Sequence, residues 1–176
     1  MGLETQSKHE PPINVGTEIL RSDGYCVIGD VAVTPDHYDA QGHLNNAAIG
    51  RLFNDMRISY ILETVGMWWV DILRTQKLVV AARESHILYE SEGLPGETYV
   101  GAMRYLRLEG KGAVLEQRLV ESTTGRAVAR AWVVQLLLQH GSVIEWPPEY
   151  FDRLGAIEGR MVEVRSKSDR RWGPDE

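Results

Sequence analysis

The sequence predicts one α+β domain, and three observations carry that expectation. A stretch from Asn46 to about Val65 has the apolar spacing of an amphipathic helix. About four strand-like runs follow it, joined by glycine-containing turns. The last of these, AWVVQLLL (131–138), is almost continuously apolar, whereas an antiparallel strand with one solvated face alternates, so it needs cover on both sides. A helix can cover one face and a second subunit the other, so an oligomer is expected.

The elements run in this order. In GYCVIGDVAV (24–33) the odd positions Tyr25, Val27, Val31 and Val33 share a face, which predicts a strand with Gly29 as a weak point. DHYDAQGHLNN (36–46) reads as a loop. Ile49, Leu52, Phe53, Met56 and Tyr60 then mark one helical stripe, with Asn45 or Asn46 as cap and Gly66 as stop. Leu78 to Tyr89 reads as a strand. In TYVGAMRYLRL (98–108), Thr98, Val100, Ala102, Arg104, Leu106 and Leu108 fall on one face, and Tyr99, Met103 and Tyr105 on the other. Gly110-Lys111-Gly112 predicts a hairpin into AVLEQRLVES, and Thr123-Thr124-Gly125-Arg126 a second into the long apolar strand. Pro147-Pro148 ends the sheet and opens a short helix, PEYFDRL. Residues 1–16, with Pro11-Pro12, read as a flexible arm, 17–156 as the single domain and 157–176 as a polar tail.

Composition narrows the function. With 176 residues and 43% hydrophobic content the chain can bury a sizeable core. A net charge of −6 argues against a general nucleic-acid surface. The apolar runs VGMWWVDIL and AWVVQLLLQ are too short to span a bilayer as helices, so no membrane partner is expected. Cys26 is the only cysteine, and the first sixteen residues lack the apolar core of a signal peptide; together these predict a cytoplasmic protein.

The chemistry concentrates in Asp36 to Asn46, which holds two carboxylates, two imidazoles and three side-chain amides. Asp36, His37, Asp39 and His43 share no established zinc spacing, so no metal is expected. No G-x-S-x-G elbow occurs. Cys26, inside a predicted strand, reads as a core residue rather than a nucleophile.

Asp39-Ala40-Gln41-Gly42-His43-Leu44-Asn45-Asn46, with Arg57 on the following helix, resembles the D-x-x-G-H-[VL]-N-N motif of the hotdog-fold thioesterases, in the 4-hydroxybenzoyl-CoA and acyl-ACP thioesterase-like branch. ILYESEGLPGETYVG, AVARAWVVQLLL and WPPEYF follow the same order of elements, so the resemblance covers roughly residues 24 to 155. It implies a five- to six-stranded antiparallel sheet wrapped around one long central helix. It also implies a homodimer or homotetramer, acyl-CoA or acyl carrier protein thioesters as substrates, and no cofactor. The sequence departs from the pattern at His37, where many relatives carry a carboxylate, and at Asn54, where many carry Glu.

On this resemblance, Asp39, His43 and Asn46 are the catalytic candidates, and Gly42, Asn45, Ala47 and Trp68 the substrate-binding ones. Asp39 would act as general base or as nucleophile, with a pKa raised by partial burial. Backbone N–H groups near Asn46 and Ala47 would hold the oxyanion, helped by the helix dipole. His43 orients Asp39 or the substrate, or else only steadies the loop. Asn45 and Asn46 fit caps and loop ties as well as direct roles. Met67-Trp68-Trp69 reads as packing at the helix end or an interface, or as the wall of an acyl pocket. Arg104, Arg107 and Arg118 are candidates for coenzyme A phosphates or ordinary strand charges. A non-catalytic acyl-thioester binder and a hotdog hydratase or dehydratase are the competing functions.

Overall fold

The computed structural model describes residues 14–165, so most of the expected arm and the SKSDRRWGPDE end lie outside the described residues. Within them are helices α1 (Val15–Ser22), α2 (Asn46–Thr64), α3 (Gly66–Thr75) and α4 (Pro148–Glu158). The strands are β1 (Ile28–Val31), β2 (Leu78–Tyr89), β3 (Tyr99–Glu109), β4 (Gly112–Glu121), β5 (Ala127–Gln139), β6 (Ser142–Ile144) and β7 (Glu163–Arg165).

The sheet runs β1-β3-β4-β5-β2, with β6 on β5 and β7 on β3. Every pairing is antiparallel except β7 with β3. Two-residue and five-residue turns join β3–β4 and β4–β5, with Gly110 and Gly125 at positive φ, as the hairpin readings require. The inner face of the sheet meets α2, α3 and α4. One cluster holds Tyr60, Trp69, Met103, Tyr105, Leu137, Trp146 and Tyr150. A second holds Leu44, Ile49, Leu52, Phe53, Tyr99 and Leu119. The 19-residue α2 is therefore the central helix, about 28 Å long.

The outer face is partly covered by the chain itself. Asn14 caps α1 by accepting the Thr17 N–H at 3.0 Å. Leu20, Tyr25 and Ile28 then pack on Val100, Ala102 and Val120, the side of β3 and β4 facing away from α2. Gly16 sits so close to the sheet that a Cβ there would lie 2.9 Å from both Glu121 O and Val100 Cγ2. The expected boundary at 17 therefore falls inside packed structure. So does that at 156, since Glu158 and Val162 are buried.

Other sequence expectations change for identifiable reasons. Gly66, at φ +64, does close α2, but the chain restarts at once as α3 instead of leaving the helical layer. Tyr25 precedes the short β1 and turns to the outer face, where its hydroxyl donates to Glu116 Oε2 at 2.7 Å. Cys26 is exposed, not a core residue. In β3 the register shifts between Tyr105 and Arg107. The bulged Leu106 reverses the alternation, so Leu108 packs with the Tyr105 cluster rather than with Val100 and Ala102.

Candidate functional site

The DHYDAQGHLNN stretch folds as a miniature hairpin that feeds straight into α2. Tyr38 bridges Leu44, the Asp39 N–H donates to His43 O at 2.9 Å, and the Asn45 N–H to His37 O at 2.9 Å. Gly42 makes the turn at φ +83, with its N–H on Asp39 O at 3.0 Å. Asn45 then caps α2, its Oδ1 accepting the Ala47 N–H at 2.7 Å. Local backbone bonding thus fixes Asp39 relative to the positive end of the helix.

Asp39 is exposed, and its Oδ1 accepts the N–H groups of Gln41 at 2.9 Å and His43 at 3.1 Å. The bond from His43, reinforced by that from Gln41, holds the carboxyl below its ordinary range. The expected upward shift by burial is therefore reversed within the single chain, because the amide hydrogen bonds, that from His43 first, together outweigh desolvation. Asp39 is ionised at neutral pH.

The half-buried His43 turns to a residue that the sequence did not bring forward. Its Nε2 lies 3.5 Å from Glu92 Oε2, on the loop after β2. That loop is locked onto the hairpin. The Leu44 N–H donates to Gly93 O at 2.8 Å, and the Tyr38 hydroxyl to Leu94 O at 3.1 Å. Glu97 fastens the loop's far side, accepting from Leu94 N at 2.8 Å, Tyr99 Oη at 2.9 Å and Arg126 Nη2 at 2.6 Å. Burial opposes ionisation there, yet these bonds hold Glu97 below the usual carboxylate range.

The two amides expected to form an oxyanion hole are not equivalent. The Ala47 N–H is engaged by the Asn45 side chain, which removes it as a free donor. The Asn46 N–H has no partner among the described residues, and its side chain is exposed and unbonded there as well. Gly42 and Asn45 shape the hairpin and the cap; Trp68 is elsewhere. It lies on α3, beyond the opposite end of α2, with the Arg153 guanidinium 4.1 Å over its ring. Its neighbour Trp69 is fully buried against Trp146 and Tyr150. Within one chain Trp68 and the hairpin do not meet.

On α2, Arg57 donates to Asn54 Oδ1 at 3.1 Å and to Gln117 Oε1 at 2.8 Å. Gln117 is fully buried, and its Nε2 donates to Phe53 O at 2.6 Å, tying α2 to β4. Burial pushes the Arg57 pKa down. The arginines considered for phosphate contacts are in ion pairs on the outer face: Arg104 with Glu116, Arg118 with Asp23, and Arg107 with Glu109. His37 closes a one-turn 3-10 helix by accepting the Thr34 N–H on Nδ1 at 3.0 Å. Among the described residues no group of three or more His, Cys, Asp or Glu could hold a metal ion. None of the described helices is long and apolar enough to cross a membrane.

Known proteins match this arrangement. Residues 33–154 fit the family described as the thioesterase-like superfamily. A thioesterase from Thermus thermophilus, complexed with coenzyme A and Zn, is similar at 25% identity and TM-score 0.65, over 78% of this chain and 98% of that one. A hypothetical protein from Staphylococcus aureus in complex with CoA shares the fold at 12% identity and TM-score 0.67, over 84% of this chain and 94% of that one. So does the probable thioesterase YbaW from Escherichia coli, at 18% identity and TM-score 0.61, over 77% and 98%. No match was found among curated protein sequences. With its antiparallel sheet packed on one long helix and its family match running from the hairpin into α4, the chain belongs to the thioesterase-like superfamily and has the hotdog fold.

Proposed function

We propose that the protein hydrolyses acyl thioesters of coenzyme A, with Asp39 as the reacting carboxylate. The observation that carries this reading is the hairpin itself. It holds an ionised, exposed carboxylate through Oδ1 alone among the described residues, immediately before the N-terminus of a 19-residue helix with an unengaged Asn46 N–H. A thioester carbonyl at that N–H would have its developing oxyanion stabilised by the helix end, and one such donor is commonly worth about 10²–10³ in rate. A carboxylate held below its ordinary pKa is a weak general base but stays ionised for attack. This favours Asp39 as nucleophile over base. His43, held toward Glu92, would orient the loop or the substrate.

The complexes of similar proteins with coenzyme A support the choice of thiol. A homodimer or larger oligomer fits the edge of β2, a 12-residue strand that pairs only with β5 among the described residues and has Val79, Leu88 and Tyr89 exposed. The test is release of free thiol from short, medium, long and aryl acyl-CoAs, with acyl carrier protein thioesters run in parallel. Cleavage of any acyl-CoA supports the reading. Cleavage of carrier-protein thioesters alone would move the substrate to that class. Tight binding without turnover would point to a non-catalytic binder.

A further inference from the structure

We infer that Glu92 is a positioning residue of the site: its carboxylate holds the His43 imidazole with the proton on Nε2 and leaves Nδ1 as the ring atom that serves the reaction; this rests on the thioesterase reading above. Glu92 Oε2 lies 3.5 Å from His43 Nε2, across the seam between the 36–46 hairpin and the loop after β2.

The main chain is fixed on both sides of that seam. On the hairpin, the His43 N–H donates to Asp39 Oδ1 at 3.1 Å, and its carbonyl accepts the Asp39 N–H at 2.9 Å. On the loop, three consecutive carbonyls are held from the β4–β5 turn, the hairpin and β3. Glu92 O accepts from Arg126 Nη1, and Gly93 O from the Leu44 N–H at 2.8 Å. Leu94 O accepts the Tyr38 hydroxyl at 3.1 Å and the Tyr99 hydroxyl at 3.2 Å. The Leu44–Gly93 bond sets the two preceding residues, His43 and Glu92, side by side. Only side-chain torsions remain to be fixed between them, so the pair is largely arranged before substrate arrives.

The other groups in reach are already engaged. Arg126, the cation that grips the Glu92 carbonyl, donates to Glu97 Oε1 and to Ser91 Oγ, each at 2.6 Å, which leaves the Glu92 carboxylate to His43. Asp39 Oδ1 is taken by the main-chain N–H groups of Gln41 and His43 rather than by the imidazole. Among the described residues neither His43 nor Glu92 has another ion-pair partner. A carboxylate only accepts, so the ring nitrogen facing it carries the proton, and the other nitrogen of a neutral imidazole is then an acceptor. That form takes a proton from water or from a thiol. Contacts of this kind are often long in a free enzyme and tighten when substrate binds, and 3.5 Å fits that behaviour. Glu92 acts through His43 and touches no reacting atom.

The test measures kcat and KM by thiol release for wild type, Glu92→Ala, His43→Asn and the double variant. Exposed charge contacts are commonly worth up to about fivefold. Glu92→Ala is therefore expected to lower kcat about threefold to fivefold beside His43, and less than about 1.5-fold when position 43 is Asn. An equal loss in both backgrounds would show the carboxylate acting on the loop and not on the imidazole. That result, or no loss in either background, overturns the inference and leaves the proposed function standing. If wild type cleaves no acyl-CoA, the thioesterase reading falls. In that case, or where His43→Asn is too slow to measure, 15N NMR of the His43 ring in alkaline solution decides the pairing. The Nε2–H tautomer alone in wild type and a mixture of tautomers in Glu92→Ala uphold it, and equal populations in the two proteins overturn it.

Discussion

Replacing Gly93 by Ala tests whether the lock between the two loops sets the geometry of the site. A Cβ at this position would lie 2.9 Å from both Leu44 Cβ and Tyr99 Oη, and 3.1 Å from Leu44 Cδ2. Carbon atoms pack best at about 3.5–4.0 Å, so Leu44 or the loop must move by roughly 0.6 Å or more. Neither moves freely. Leu44 is 5% exposed and its N–H is on Gly93 O at 2.8 Å, while the Tyr99 hydroxyl is held by Glu97 and Leu94. Overpacking of this kind costs about 1–3 kcal/mol, and the loss of glycine entropy in the unfolded chain returns about 0.4–1 kcal/mol. The net of about 1–2 kcal/mol corresponds to a fall in Tm of about 2–8 °C for a domain of this size. Because His43 and Asp39 are on the hairpin that Leu44 anchors, a shift approaching 1 Å can cost as much as about 10²-fold in rate. We expect a loss of about 10-fold or more in kcat/KM by thiol release, beside the lower Tm by calorimetry. A Gly93→Ala protein with wild-type Tm and activity would refute the idea that this contact positions the hairpin.

Gly50→Ala is the opposite case, since Gly50 lies inside α2 with ordinary φ and no atom within 4 Å of a new Cβ; a gain of about 0.5–1 kcal/mol is expected in denaturant melts. Gln117→Leu removes both the Arg57 acceptor and the tie to Phe53 O. It should cost about 2–3 kcal/mol, because the guanidinium is left part-buried without that partner, and a loss under about 0.5 kcal/mol would show the tie to be dispensable. Burial would raise the Glu121 pKa, but the Thr124 hydroxyl and the Thr123 and Thr124 amides outweigh it and hold the group at about 2, against an ordinary 4.5. The folded value is depressed, so its stabilisation is complete above pH 4.5 and lost as pH falls toward 2. Glu121→Gln should be less stable than wild type by up to about 3 kcal/mol at neutral pH, with the gap closing in acid; a pH-independent gap would contradict the assignment.

Local features were legible in the sequence to the extent that their causes are local. The loop at 36–46, a cap at Asn45 or Asn46 and the span of α2 all arise from contacts within a few residues and were legible, whereas the pairing of Tyr38 with Leu44 that makes the loop a hairpin was not. The reversal in β3 was not legible, because a bulge at Leu106 depends on how β4 and β3 register across a turn. Tyr25 followed the wrong face because the strand proper begins only at Ile28. The partners that complete the site are distant in sequence. Glu92 and Gly93 lie some fifty residues from His43 and Leu44, and no periodicity signals that contact. The lowered pKa of Asp39 depends on where two backbone N–H groups point, which composition does not record.

The most direct measurement is the pH profile of kcat/KM for the best acyl-CoA substrate, with wild type beside Asp39→Asn. In the proposed mechanism Asp39 reacts as the carboxylate, and its pKa in the free protein is below the ordinary carboxylate range. Wild-type activity should therefore show no acid limb from Asp39 between about pH 7 and pH 5. The Asp39→Asn protein should lose about 10²-fold or more at every pH, with its fold intact by circular dichroism. Undiminished hydrolysis by folded Asp39→Asn would contradict the central role of this carboxylate.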